Sequence, residues 1–417
     1  MSIFDIAAIL IGLAALFGFL NHRYLKLPHT IGLMLIALAA SSAVILTDTI
    51  LPGSEMGKSI SDLLARIDFH DIVMHGMLSF LLFAGALHVD FIAMADRKWT
   101  ILTLATVGIL ISTFVIGTAL WFVLGMLGLS LSLIWALVFG ALISPTDPVA
   151  VLGIFKTIDI PPALEAKVAG ESLFNDGVGV VVFTILVSIA VGGAHGQVGP
   201  QDVLIVFLQE AVGGVVLGLA AGYIGYRAMH VIDEYVLEIL ISLALVMVTY
   251  AIAIKLHMSG PIAMVVAGLF IGNQGARFAM SDRTREHLFH FWELMDEILN
   301  SVLFLLIGLE VLVVSFSMSH MTAAILAIPI ALLGRSLGVG IPMAALSVRM
   351  TFTQGAIPVL IWGGLRGGIA VALALSLPEN EFKPLILTAT YAVVIFSIVV
   401  QGMSMKALVK RIVPSAS

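Results

Sequence analysis

Long apolar runs of about 20 residues, separated by short polar segments, dominate the chain. That is the length a helix needs to cross a hydrocarbon core at about 1.5 Å rise per residue. Thirteen such spans are predicted at approximately 4–20, 30–46, 72–88, 101–126, 132–154, 170–192, 202–226, 235–254, 261–272, 297–314, 321–347, 355–377 and 384–405. The runs are continuous rather than alternating every second residue, so they read as helices and not as the strands of an outer-membrane barrel. The fold class expected is an all-α polytopic membrane protein.

Orientation gives an independent check, because cytoplasmic loops hold the excess of Lys and Arg. Fourteen of the twenty basic residues, from Arg23 and Lys26 to Lys406, Lys410 and Arg411, fall in the odd-numbered loops and at the C-terminus. Only Lys58, Arg66, Lys255 and Lys383 fall on the other side, and Arg335 and Arg366 lie inside spans. The asymmetry supports thirteen spans with the N-terminus outside and the C-terminus in the cytoplasm. It fits the inner (plasma) membrane of a prokaryote. The start of the chain, with no basic residue before its apolar run, reads as a retained first helix rather than a signal peptide.

Composition agrees with this class and removes others. At 417 residues, 60% hydrophobic and 11% charged, the chain is not a soluble domain. Its net charge of -6 is scattered, without the basic stripe that nucleic acid requires. The absence of cysteine excludes disulfides, thiolate metal sites and cysteine nucleophiles. No cofactor is expected, and membrane lipid is the expected surrounding.

Two spans are interrupted. In the fifth, Ser144-Pro145-Thr146-Asp147-Pro148 sets two prolines and a carboxylate inside an apolar run, which breaks the helix. In the twelfth, Gly363-Gly364-Leu365-Arg366-Gly367-Gly368 opens the helix with glycine. Broken helices at bilayer depth are tolerated only where they line a cavity or lie buried in protein. The two spans are seven apart, as expected if spans one to six and eight to thirteen are inverted repeats around the seventh. Interrupted segments at corresponding positions of two halves mark a transporter's binding site.

The sixth span carries the chemistry, opening with Glu171-Ser172-Leu173-Phe174-Asn175-Asp176. An acid at bilayer depth is by default a functional-site hypothesis. Asp176 is the first choice for a carrier carboxylate, because either a proton or a small hard cation neutralises it. Ser172, Asn175, Thr146 and carbonyls freed near Asp147 offer the oxygen ligands such ions take. The competing reading, in which Asp176 caps a helix or pairs with a base, runs against the rarity of unpaired buried acids. Asp147 and Arg366 sit at the two breaks, where an acid near helix N-termini and a base near C-termini would neutralise the half-helix dipoles. Direct contact between Asp147 and a cation is the alternative. Glu171 is expected to pair with Arg335, alone among basic residues in the middle of the eleventh span, with a ligand role for Glu171 as the alternative. Glu210, Glu238 and Glu310 read as acids snorkelling from span ends, and His70, His75 and His88 as interface histidines without metal spacing.

Taken together, Ser144-Pro145-Thr146-Asp147-Pro148, Glu171-Ser172-Leu173-Phe174-Asn175-Asp176, Gly334-Arg335 and Gly364-Leu365-Arg366-Gly367-Gly368 resemble the NhaP/NHE-type monovalent cation–proton antiporters in order and spacing. The resemblance covers the whole set of spans. It implies a homodimer in which an ion-carrying core, residues 101–192 and 321–410, moves like an elevator against a scaffold. The scaffold would be residues 1–100 and 235–314, with residues 202–228 as linker. It implies Asp176 as the cation and proton site with Thr146 and Ser172 assisting, Glu171 paired with Arg335, and Asp147 with Arg366 at crossed breaks. Asparagine at position 175 matches the electroneutral branch, one proton for one cation. Prokaryotic relatives often have a glutamate where this chain has Ala84, and the long regulatory tail of animal exchangers is not expected here. Sodium or lithium is the expected cation, with potassium the alternative. An intramembrane aspartyl protease using Asp147 and Asp176, which would need a Gly-x-Gly-Asp signature, and an ion channel are the readings from other classes.

Overall fold

A computed structural model describes residues 3–50, 69–91, 94, 97–147, 151, 155, 162–192, 200–311, 318–348, 350, 352 and 355–412. The described residues form helices and connecting turns, with no strand among them. Eight helices are long and apolar enough to cross a membrane, and two shorter apolar helices, Ile72–Leu87 and Leu133–Ile143, add to them. We label the principal helices α1 (Ile3–Leu20), α2 (His29–Ile50), α3 (Leu78–Leu87), α4 (Ile109–Met126), α5 (Leu133–Ile143), α6 (Pro162–Gly192) and α7 (Gly213–Met229). The second half comprises α8 (Tyr235–Lys255), α9 (Gly260–Phe270), α10 (Asp282–Glu310), α11 (Met318–Ser347), α12 (Ala356–Trp362), α13 (Gly368–Leu375) and α14 (Lys383–Phe396).

The bounds depart from hydropathy where local chemistry overrides it. The tenth span begins at Asp282 rather than 297, because Ser281 caps the helix by accepting the Thr284 N–H at 3.3 Å and the charged first half continues the same helix. The ninth starts at Gly260, where Ser259 accepts the Ile262 N–H at 3.3 Å and Pro261 takes an early position that has no helical hydrogen bond to lose. The all-helical class holds, while the eight long and two shorter apolar helices among the described residues do not confirm a count of thirteen. Six short π-helical segments, such as Leu104–Gly108 and Ser397–Gly402, interrupt longer helices among the described residues.

Packing falls into two sets. Helices α1, α2, α3, α7, α8, α9 and α10 pack mainly on one another, as do α4, α5, α6, α11, α12, α13 and α14. Fewer contacts join the sets, among them Ile262 of α9 against Gly177 of α6 and Leu303 of α10 against Gly368 of α13. Lipid tails are as apolar as leucine, so helices associate through close packing of small residues and polar contacts rather than through the hydrophobic effect. At the α4–α11 contact Gly108 and Gly338 meet backbone to backbone, and Ser112 Oγ donates to Gly334 O at 2.9 Å. In α7 the stripe Gly214, Gly218, Gly222 admits Ile262, Ala263 and Phe270 of α9. Large apolar side chains such as Phe19 and Ile224 are exposed, as a lipid-facing surface requires.

Glu238 and Glu310 do not snorkel: they are buried, at 0% and 8% exposure. The reason for Glu238 is the charged extension of α10, which hydropathy left outside any span and which packs on α8, with Trp292 Nε1 donating to Ser242 Oγ at 3.0 Å. His88 is held by the Ala84 carbonyl at 2.8 Å and by the edge of Phe289, while the side chains of His70 and His75 lie outside the described residues.

The α4–α5 contact has no room for a side chain at Gly140, which abuts the Thr113 carbonyl and Gly117. Gly140→Val should lower the melting temperature of the detergent-purified protein, an overpacked core costing about 1–3 kcal/mol. Gly12→Val, whose added carbon has nothing within 4 Å, should melt like the parent.

Candidate functional site

The first break follows from Ser144 and Pro145. Helix α5 ends at Ile143, Ser144 Oγ donates to Gly140 O at 2.6 Å, and the Pro145 ring fills the space left by Gly179 of α6. The chain then runs without regular structure through Thr146 and Asp147. Pro148, the last residue of the motif, lies outside the described residues. The second break separates α12 from α13, with Gly363 to Gly367 between them.

The breaks meet. The Asp147 N–H donates to Leu365 O at 2.8 Å, so each unwound segment supplies a backbone partner to the other. Arg366 Nη1 donates to Ser144 O and, at 2.8 Å, to Pro145 O, the orphan carbonyls at the end of α5. Gly367 abuts the Asp147 side chain so closely that no Cβ fits there, which puts that carboxylate at the N-terminus of α13. The base therefore faces the negative end of one half-helix and the acid the positive end of another, each carrying about half an elementary charge.

Helix α6 closes the site from one side. Thr146 N–H donates to Asn175 Oδ1 at 3.1 Å, Asn175 Nδ2 to Thr146 Oγ1 at 2.8 Å, and Thr146 Oγ1 lies 3.0 Å from Ser172 Oγ. Positions 172, 175 and 176 share one side of the helix, since residues three and four apart are neighbours. All are buried, Asn175 at 0% and Asp176 at 4% exposure. Among the described residues no hydrogen bond or ion pair engages the Asp176 carboxylate, which lies within electrostatic reach of Asp147 and Glu171. Glu171, in contrast, is bound bidentately by Arg335, through Nη1 to Oε1 and through Nη2 to Oε2 at 2.9 Å.

Several participants were not visible in the sequence. Arg335 also donates from Nε at 3.1 Å and Nη2 at 2.7 Å to Leu360 O, so it caps the end of α12 as Arg366 caps α5. Ser397 Oγ accepts the Arg366 N–H at 2.9 Å, and Gln401 Nε2 donates to Trp362 O at 3.0 Å. No local motif distinguishes these polar residues in an apolar span, since their partners come from a remote segment. Lys167, assigned by hydropathy to a cytoplasmic loop, is buried with its ammonium 5.1 Å from the centre of the Phe352 ring. Its place four residues before Glu171 was the available signal.

Hydroxyl, amide and carboxylate oxygens converge beside the broken helices, and among the described residues Arg335 and Arg366 are already committed to Glu171 and to backbone carbonyls. The family model for the transmembrane sodium/hydrogen exchanger matches residues 10–411. The chain is 47% identical to the Na(+)/H(+) antiporter NhaP of Pseudomonas aeruginosa, over 98% of this chain and 96% of that protein. It is 35% identical to the Na(+)/H(+) antiporter NhaH of Halobacillus dabanensis, over 94% and 93% respectively. Its fold superposes on the sodium proton antiporter MjNhaP1 of Methanocaldococcus jannaschii at pH 8 with a TM-score of 0.74, covering 98% of both chains at 20% identity.

Removing Arg335 strands both Glu171 and the Leu360 carbonyl. Arg335→Ala should therefore destabilise the protein by about 3–5 kcal/mol, the range for breaking one side of a buried pair. Thermal unfolding in detergent checks this, and Arg335→Ala combined with Glu171→Leu should recover part of the loss. An unchanged melting temperature in the single variant would remove the structural role of the pair.

Proposed function

The chain belongs to the sodium/hydrogen exchanger family, and we propose that it exchanges sodium or lithium for protons, with cation and proton competing for Asp176. The observation that carries this reading is the contrast among the three acids at the crossing. Glu171 has Arg335, and Asp147 stands at a helix N-terminus opposite Arg366, whereas no described base engages Asp176. A carboxylate left in this state binds one positive charge at a time, a proton or a cation, and that alternation is exchange. Both relatives named above are Na(+)/H(+) antiporters, which supports the choice of ion.

In this reading Thr146, Ser172 and Asn175 supply neutral oxygens to the cation, and no cofactor takes part. Glu171 with Arg335 and Asp147 with Arg366 hold the broken helices and carry no transported charge. Exchange is electroneutral, because one carboxylate holds one charge in either form. The set containing α4–α6 and α11–α14 is the mobile core, and the set containing α1–α3 and α8–α10 the scaffold. Elevator motion between them is supported by their sparse, largely apolar contacts at Gly177 and Gly368. The scaffold carries the dimer contact of a homodimer, and the basic asymmetry of the loops supports an outside N-terminus in a prokaryotic plasma membrane.

The test is reconstitution in liposomes with an imposed pH gradient, following internal pH as sodium, lithium or potassium is added with the voltage clamped. Cation-driven dissipation should be insensitive to the clamp and stronger for sodium and lithium than for potassium. Asp176→Asn should abolish it while the protein remains folded, and exchange surviving in that variant would sink the assignment.

A further inference from the structure

The end of α14 is built around the second break. Between α14 and the C-terminal helix Met403–Ile412 the chain forms the π-segment Ser397–Gly402, a local widening of the kind that recurs at functional sites. Ser397 and Gln401 lie at its two ends, four residues apart and buried at 0% and 3% exposure. One accepts the Arg366 N–H and the other donates to Trp362 O, so the unwound stretch is held at both edges by a single helix.

The same segment reaches the charges. A cavity of about 10 Å³ between α11, α14 and the break has Arg335, Arg366, Gly364 and Gln401 in its wall. Gln401, its amide nitrogen committed to Trp362, shares that wall with the two guanidinium-bearing residues. These two arginines hold Glu171 and the carbonyls of Ser144, Pro145 and Leu360.

We propose that Ser397 and Gln401 are positioning residues for ion exchange: by holding the second break they set where Arg366 and Arg335 stand, and so the field in which Asp176 takes its cation. The inference rests on Asp176 as the carrier. Coulomb energy in a low-dielectric interior varies steeply with separation, so a small displacement of a buried guanidinium alters ion affinity. A hydroxyl or amide that merely filled space would change stability and leave affinity untouched.

The test measures exchange rate against sodium concentration in proteoliposomes for the parent, Ser397→Ala, Ser397→Thr and Gln401→Leu, with melting temperatures alongside. Ser397→Ala and Gln401→Leu should each raise the KM for sodium about fivefold, the equilibrium equivalent of one net hydrogen bond, with turnover at saturation within about twofold. Ser397→Thr keeps the hydroxyl and should retain the parental KM. A parental KM in both Ser397→Ala and Gln401→Leu, even with lowered melting temperatures, would overturn the inference and leave the carrier reading standing. Should one of the two fail to fold, the KM of the other decides. A parent protein without sodium-dependent exchange would overturn the carrier reading, and this inference with it.

Discussion

An unpaired backbone group at bilayer depth has no water to turn to, and that constraint organises this molecule. Two helices stop in the middle of the membrane, each leaving carbonyls at one end and N–H groups at the other. The pairing of Asp147 N–H with Leu365 O, the grip of Arg366 on Ser144 and Pro145, and the grip of Arg335 on Leu360 satisfy these groups across the two breaks. The first two of these contacts link one break to the other, and the third ties the second break to α11. The crossing is therefore a single cooperative unit.

The same unit separates charges that are held by partners from one that is not. A buried guanidinium is tolerable only when it has acceptors, and both arginines at the crossing find them on helix carbonyls and, for Arg335, on Glu171. Asp176 is buried just as deeply on α6 but receives none of these donors. Thr146, Ser172 and Asn175, on the same side of α6 or beside it, are linked to one another at 2.8–3.1 Å, while Asp147 and Glu171 lie within electrostatic reach of Asp176.

Close packing makes the arrangement durable. Gly140 lies against the Thr113 carbonyl, Gly108 meets Gly338, and Pro145 sits on Gly179, so α4, α5, α6 and α11 approach nearly backbone to backbone around the breaks. Between the two helix sets the contacts are fewer and formed by apolar tips such as Ile262 and Leu303 against glycine. The packing is thus denser within each set than between them.

Much of this was legible in the sequence. Helical membrane class follows from run length and composition, because hydropathy over about 20 residues is a local property. The breaks follow from proline and glycine, which act on their own backbone, and the acid-rich start of the sixth span announces itself by the energetic expense of burying charge. Membership of the exchanger family was visible in the same motifs. What only the tertiary structure decided are the partners: that Arg335 caps α12 as well as holding Glu171, that Ser397 and Gln401 hold the second break, and that Glu238 is buried. Helix ends such as Asp282 also escaped hydropathy, which registers apolar length and not the cap that starts a helix. Hydrogen bonds between segments more than 20 residues apart leave no periodic trace in either segment, so their geometry exists only once the chain has folded.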